Sequence, residues 1–231
     1  MTKRYAAAYA ALAIADSVAA GRSGSAAARR LRYVLKPLLM PALATAFVHG
    51  TRDGAARSDR DLLRTGVLAA QGLSWGGDVA LLGTSERSFL GGVASFFGAH
   101  LAYIAAFVSV RGEPRDYGKA GLRTALGLWV TAAPVMSLAA GRKDPTLRLP
   151  VAAYATVLSA MFASSQLLDP ALPQGARRSL QAGTALFVVS DSVLAAQEFL
   201  LPEPRPLVES VVMTTYTAAQ GLIAAGVASA T

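Results

Sequence analysis

Asp78 and Asp191 each sit inside a long apolar run, Leu68 to Leu82 and Gly183 to Ala195. On insertion scales a carboxylate at the centre of a membrane helix costs about 2.5 to 3.5 kcal/mol, so such a residue is a functional candidate by default. Two carboxyls sharing a dry site cannot both stay charged. One keeps its proton and serves as an acid, and the other accepts a proton or steadies a developing cation. The reading that treats both as mere interhelical ties predicts that Asn replaces either one without loss of folding or activity.

Helical spacing places partners beside them, because residues three, four or seven apart share a face. Gln71, Trp75 and Asp78 form one such face, His100, Tyr103 and Phe107 a second, Asp191 and Glu198 a third, and Tyr216 with Gln220 a fourth. Lys36 precedes Pro37 near the start of an apolar run. It either extends to the interface or neutralises a phosphate or an aspartate. Asp16 and Glu198 lie close to span ends, where solvation accounts for them. Tyr103, Tyr216 and Gln220 read first as hydrogen-bonding glue, and a cavity lined by these faces would hold water and a lipid headgroup.

The elements that must position these residues are membrane helices. The 231-residue chain is 53% hydrophobic and only 16% charged, with a mean hydropathy of +0.41. Soluble domains carry about 25% charge. Eight apolar segments recur, Tyr5–Ala20, Val34–His49, Leu62–Leu82, Phe89–Val110, Leu122–Ala140, Leu149–Leu168, Leu180–Leu200 and Leu207–Ala230. Each approaches the roughly 17 to 25 residues a spanning helix needs. No barrel alternation is present, so the expected fold is all-α, a polytopic single bundle of eight transmembrane helices forming one domain over residues 1–231. Gly72 and Gly76 at GxxxG spacing, with Gly91, Gly92 and Gly98, favour close helix contact. Pro134 reads as the one proline deep within a span. Lys3 and Arg4 before Tyr5–Ala20 resemble a signal peptide, but Asp16 argues for a retained first span.

Alternating helix direction puts Asp16, Lys36, Asp78 and Glu198 in the half remote from the termini, with Asp191, His100, Tyr216 and Gln220 nearer mid-depth. Lys and Arg number 12 on the termini side against 10 opposite. By the positive-inside rule this predicts cytoplasmic termini.

The net charge of +8 does not imply nucleic acid, since the basic residues punctuate apolar runs and suit anionic lipid headgroups. There is no cysteine and there are two histidines, so thiolate chemistry is excluded and neither a metal site nor any cofactor is expected. A phosphate loop, a dinucleotide fingerprint, HExxH and GxSxG are all absent. Oligomeric state is not legible.

Lys36-Pro37, Gly76 to Asp78, Phe96 to Tyr103, Tyr154 with Met161, Gly183 to Ala195 including Ser190, and Tyr216 to Ile223 occur in the order and spacing seen in YhhN-like membrane proteins. The chain from the second span onward resembles this lysoplasmalogenase family. The resemblance implies an eight-span hydrolase that splits the vinyl ether of lysoplasmalogens into a fatty aldehyde and glycerophosphoethanolamine or glycerophosphocholine. Its two characteristic aspartates correspond to Asp78 and Asp191. The implied partners are a lysophospholipid substrate and the bilayer. Lys36, His100, Tyr103, Ser190, Tyr216 and Gln220 are the expected substrate-binding or supporting residues. Asp191, read as deeper, is the expected acid, and Asp78, read as nearer water, the base. Alanine- and arginine-rich usage fits a high-GC bacterium and hence a bacterial cell membrane. The rival class is a proton-coupled carrier of a lipid or small amphiphile, since intramembrane carboxylates also mark proton paths. Against it, no repeat relates the two halves.

Overall fold

The computed structural model describes residues 3–51, 60–203 and 205–230. Of the charges in the topology argument, Arg52 and Arg57 lie outside the described residues. Among the described residues eight long helices follow one another: α1 (Lys3–Ala20), α2 (Ala26–Gly50), α3 (Asp61–Ala80), α4 (Glu86–Val108), α5 (Lys119–Lys143), α6 (Arg148–Ser164), α7 (Gln174–Leu200) and α8 (Pro206–Ala230). No β-strand occurs among the described residues. Among the described residues six of the helices, all but α1 and α3, are long and apolar enough to cross a membrane, α6 together with the 3-10 turn Pro145–Leu147 that precedes it. The other two are diluted by Lys3, Arg4 and Asp16 in α1 and by Asp61, Arg64, Gln71 and Asp78 in α3. The charges that qualify these helices as site carriers are those that weaken them as spans.

Consecutive helices pack as hairpins, α1 on α2, α3 on α4, α5 on α6 and α7 on α8. Helix α8 also touches α1, α2 and α3, and α6 touches α4. One contiguous buried cluster draws on all eight helices, with Leu39, Phe47, Phe107, Phe187 and Ile223 among its most enclosed side chains. Close approach depends on absent side chains at particular points. A Cβ at Gly183 would stand 2.8 Å from Ile223 and 2.9 Å from the Ala219 carbonyl, and one at Gly77 would stand 2.6 Å from the Phe96 ring. Gly76 faces Ser95 at 2.9 Å, but Gly72 and Gly91 face open space, so the GxxxG pair is not a packing motif here.

Helix α2 begins eight residues before the expected boundary, because Ser25 and Ala26 to Ala28 favour a helix start and Arg29, Arg30 and Arg32 are good helix formers. The basic stretch from Arg22 to Arg32, which lies between the expected first and second spans, is therefore largely helix. The longer helix places both Pro37 and Pro41 in its interior, so Pro134 is not the only proline deep in a span. Pro41 has no N–H to offer the carbonyl of Pro37 four residues back. The indole Nε1 of Trp75 donates to that carbonyl at 3.0 Å instead. Trp75 thus ties α3 to α2 from a half-exposed position and does not share the buried face of Gln71 and Asp78.

Candidate active site

Helix α3 presents Gln71, Ser74 and Asp78 to the interior, and all three are buried. Asp78 Oδ2 accepts a 2.8 Å hydrogen bond from the Tyr216 hydroxyl on α8, and Oδ1 lies 3.5 Å from the Lys36 ammonium on α2. Lys36 therefore points inward to a carboxylate and does not extend to the interface. The α8 face continues one turn on with Gln220. Its Oε1 accepts a short hydrogen bond from the Tyr103 hydroxyl on α4, and its Nε2 donates to Ser74 Oγ at 3.0 Å and to Tyr216 at 3.5 Å. Four helices are thereby joined through polar groups to Asp78.

Asp191 on α7 has a different set of partners. The Tyr154 hydroxyl on α6 donates to its Oδ2 at 2.7 Å, and His100 Nε2 on α4 lies 3.6 Å from that same oxygen. His100 is wholly buried, and its Nδ1 lies 2.5 Å from the Phe96 carbonyl. A carbonyl only accepts, so Nδ1 carries the proton and a neutral ring turns the lone pair of Nε2 toward Asp191.

Phe187, one turn before Asp191 on α7, connects the two halves. Its ring meets His100 edge-on at 5.0 Å and Tyr216 at 5.5 Å. No hydrogen bond links the two carboxyls among the described residues. Asp78 is the more enclosed, its side chain 2% exposed against 11% for Asp191. That reverses the expected order of depth. Alternating directions put Asp78 late in an outgoing helix, but the returning helices α2 and α8 cover it there.

The remaining expected residues divide. His100, Tyr103, Tyr216 and Gln220 all join the network. Ser190 is buried but donates to the Val212 carbonyl at 3.0 Å, where it pins α7 to α8 and does not touch Asp191. Glu198 leaves the Asp191 face, part-exposed, to pair with Lys143 at 2.6 Å. Asp16 is not solvated. It is fully buried and bridged to Arg32 at 3.3 Å. Tyr154 and Ser74 were missed as site residues. Tyr154 stood within a quoted motif, and Ser74 lies one helical turn before Asp78, where face-sharing would have found it. Among the described residues no group of three His, Asp or Glu is placed to hold a metal ion.

The YhhN family model matches residues 31–227, which takes in every residue of both carboxylate sites. Lysoplasmalogenase TMEM86B of Homo sapiens is 38% identical over 149 residues, 64% of this chain and 56% of that protein. The Sus scrofa protein of the same name is 36% identical over 143 residues, covering 61% and 54%, and that of Rattus norvegicus 34% over 149 residues, covering 64% and 54%. The chain spans about half the length of these curated relatives. No solved structure matches it. Six helices able to cross a membrane and a family match over most of the length agree on one assignment: the chain is an integral membrane protein and belongs to the YhhN family.

Proposed function

We propose that the protein is a membrane-embedded hydrolase that cleaves the vinyl ether of lysoplasmalogen-type lysophospholipids, with Asp78 and Asp191 as its catalytic pair. The supporting observation is the unequal company of the two carboxyls. Asp78 faces the Lys36 cation, which favours its ionised form, whereas Asp191, among the described residues, faces a phenol and an imidazole.

On this reading Asp191 holds a proton and delivers it to the alkene carbon distal to the ether oxygen. The resulting oxocarbenium ion is steadied by the Asp78 carboxylate, which then takes a proton from the attacking water. The hemiacetal so formed collapses to aldehyde and alcohol as a proton returns to the glycerol oxygen. One water is consumed and no electrons are transferred. His100 Nε2, facing Asp191, is positioned to relay the replacement proton, and Tyr154 and Tyr216 fix the carboxyl orientations. The expected roles are thus kept with a different cause, partner charge in place of depth. All eight helices cross the bilayer as one bundle, α1 and α3 with Asp16 and Asp78 turned inward, and the termini lie on the cytoplasmic side of a bacterial cell membrane.

The test is aldehyde release from 1-alkenyl-lysophosphatidylethanolamine and its choline analogue by the protein purified in detergent. Native chain should release aldehyde, and Asp78→Asn and Asp191→Asn should not, with elution and melting behaviour retained. Solute flux in proteoliposomes without product would replace the hydrolase with a carrier.

A further inference from the structure

The two carboxyl sites are closed in different ways. Asp78 is covered by α2 and α8, whereas one flank of Asp191 is covered by Tyr154 on the α5–α6 hairpin, whose helices are the least buried of the six apolar ones. The hairpin is tied within itself. The Trp129 indole donates to Thr156 Oγ1 at 3.0 Å, and Ser137 Oγ donates to the Arg148 carbonyl at 2.9 Å.

Its attachment to the rest of the bundle is lopsided. At the end where α5 begins and α6 finishes, the Gly112 N–H donates to the Leu167 carbonyl at 2.9 Å and the Asp169 N–H to the Val110 carbonyl at 3.0 Å. There Ser165 Oγ also lies 2.8 Å from Thr184 Oγ1 on α7. Toward the opposite end, the polar ties among the described residues are Tyr154 to Asp191 and Lys143 to Glu198. The Lys143 ammonium donates to the Glu198 carboxylate at 2.6 Å and to its carbonyl at 2.9 Å, with both side chains about half exposed.

Packing follows the same gradient. Residues 148–156 of α6 and 191–200 of α7 include none that is buried, whereas Val157, Met161 and Phe162 further along α6, and Thr184, Phe187 and Val188 earlier on α7, are buried. Tyr154 and Asp191 stand at the boundary between the two regimes. Glu198 lies seven residues beyond Asp191, about 10 Å along the helix axis. Sparse burial held by an exposed ion pair marks a part of a fold that opens locally, because such a pair is worth little.

We propose that the α5–α6 hairpin is a lateral gate to Asp191. It swings from the last half of α7 about its pinned end, the Lys143–Glu198 pair is its latch, and a single-chain lipid enters from the bilayer through the seam so opened. Closing returns the Tyr154 hydroxyl to Asp191 Oδ2, so the contact that orients the acid forms only when the seam is shut. The site is thus completed after the substrate is enclosed. The inference rests on the reading of Asp191 as the proton donor and adds the route by which substrate reaches it.

The chain has no cysteine, so introduced thiols are its only ones. Lys143→Cys with Glu198→Cys, joined by a reducible bis-maleimide, should lower aldehyde release by at least about tenfold, and reduction of the linker should restore it. The unlinked double variant should keep the native rate. A disulfide from Arg111→Cys with Leu168→Cys, which face each other across an antiparallel bridge at the pinned end, should change the rate by less than about threefold. A latch-linked form that keeps its rate, or a loss that reduction does not reverse, would overturn the gate and leave the hydrolase reading in place. A second readout needs no turnover. A thiol from Ala195→Cys, one turn beyond Asp191, should react with N-ethylmaleimide about two- to fivefold faster when Glu198→Gln weakens the latch. Equal labelling rates would overturn the gate. If no alkenyl lysolipid is hydrolysed but labelling follows the latch, the reaction reading fails and the gate stands. If the paired cysteine variant does not fold, the labelling comparison decides alone.

Discussion

The Asp78 and Asp191 sites are built from the same residue types, a carboxyl and a tyrosine hydroxyl, yet differ in the third partner. Asp78 has a lysine and the more complete burial, and Asp191 has a neutral-facing histidine and slightly more access. The comparison teaches that two buried carboxyls with like hydroxyl partners are told apart by the charge of a third neighbour. A carboxylate held by a cation and a phenol is suited to remain charged. A carboxyl held by a phenol and facing a lone pair is suited to hold and pass a proton.

The largest expected effect breaks the comparison outright. Replacing either carboxyl with Asn should slow aldehyde release by roughly 100- to 10,000-fold, the range of a lost acid or base, while circular dichroism stays unchanged. Next, Lys36→Met should destabilise the protein by about 3 to 5 kcal/mol, because it strands a buried carboxylate. Pairing it with Asp78→Asn should restore much of that loss in a thermal melt. No rescue would mean that the ion pair is not the reason Lys36 is buried. The tyrosines then sharpen the contrast. Tyr154→Phe removes the hydrogen bond from its hydroxyl to Asp191 and should cost about tenfold in kcat/KM, whereas Tyr216→Phe leaves Lys36 holding Asp78 and should cost about threefold. Equal losses would remove the distinction between the two sites. The smallest effect is indirect. Gly77→Ala pushes a methyl into Phe96, whose ring packs edge-on against Tyr216 at 5.8 Å. Overpacking there should cost about 1 to 3 kcal/mol in melting with activity reduced only in proportion to folding.

Much of the site was legible because membrane helices make polar residues conspicuous. Asp78, Asp191, Lys36, His100, Tyr103, Tyr216 and Gln220 stand out against apolar runs, and helical spacing grouped His100 with Tyr103 and Tyr216 with Gln220 as found. Rotation about each helix was harder to read. Trp75 shares spacing with Gln71 and Asp78 but turns outward, because the carbonyl freed by Pro41 offers its indole a partner. Asp191 and Glu198 are seven residues apart, yet Lys143 draws Glu198 to the surface. Asp16 was read as solvated from its position near a helix end. Its burial depends on Arg32, which the sequence places in a basic stretch that looked like loop and is helix. Such pairings between distant segments leave no periodic trace in the chain.

The account stands most directly on a cycle of aldehyde-release rates for the native protein, Asp78→Asn, Asp191→Asn and the double variant, each shown to elute and melt as folded protein. An acid and a base acting on one bond predict that each single change removes nearly all activity and that the double variant is no slower than the worse single. Losses that multiply, or a single variant that keeps its rate, would contradict a shared catalytic role for the two carboxyls.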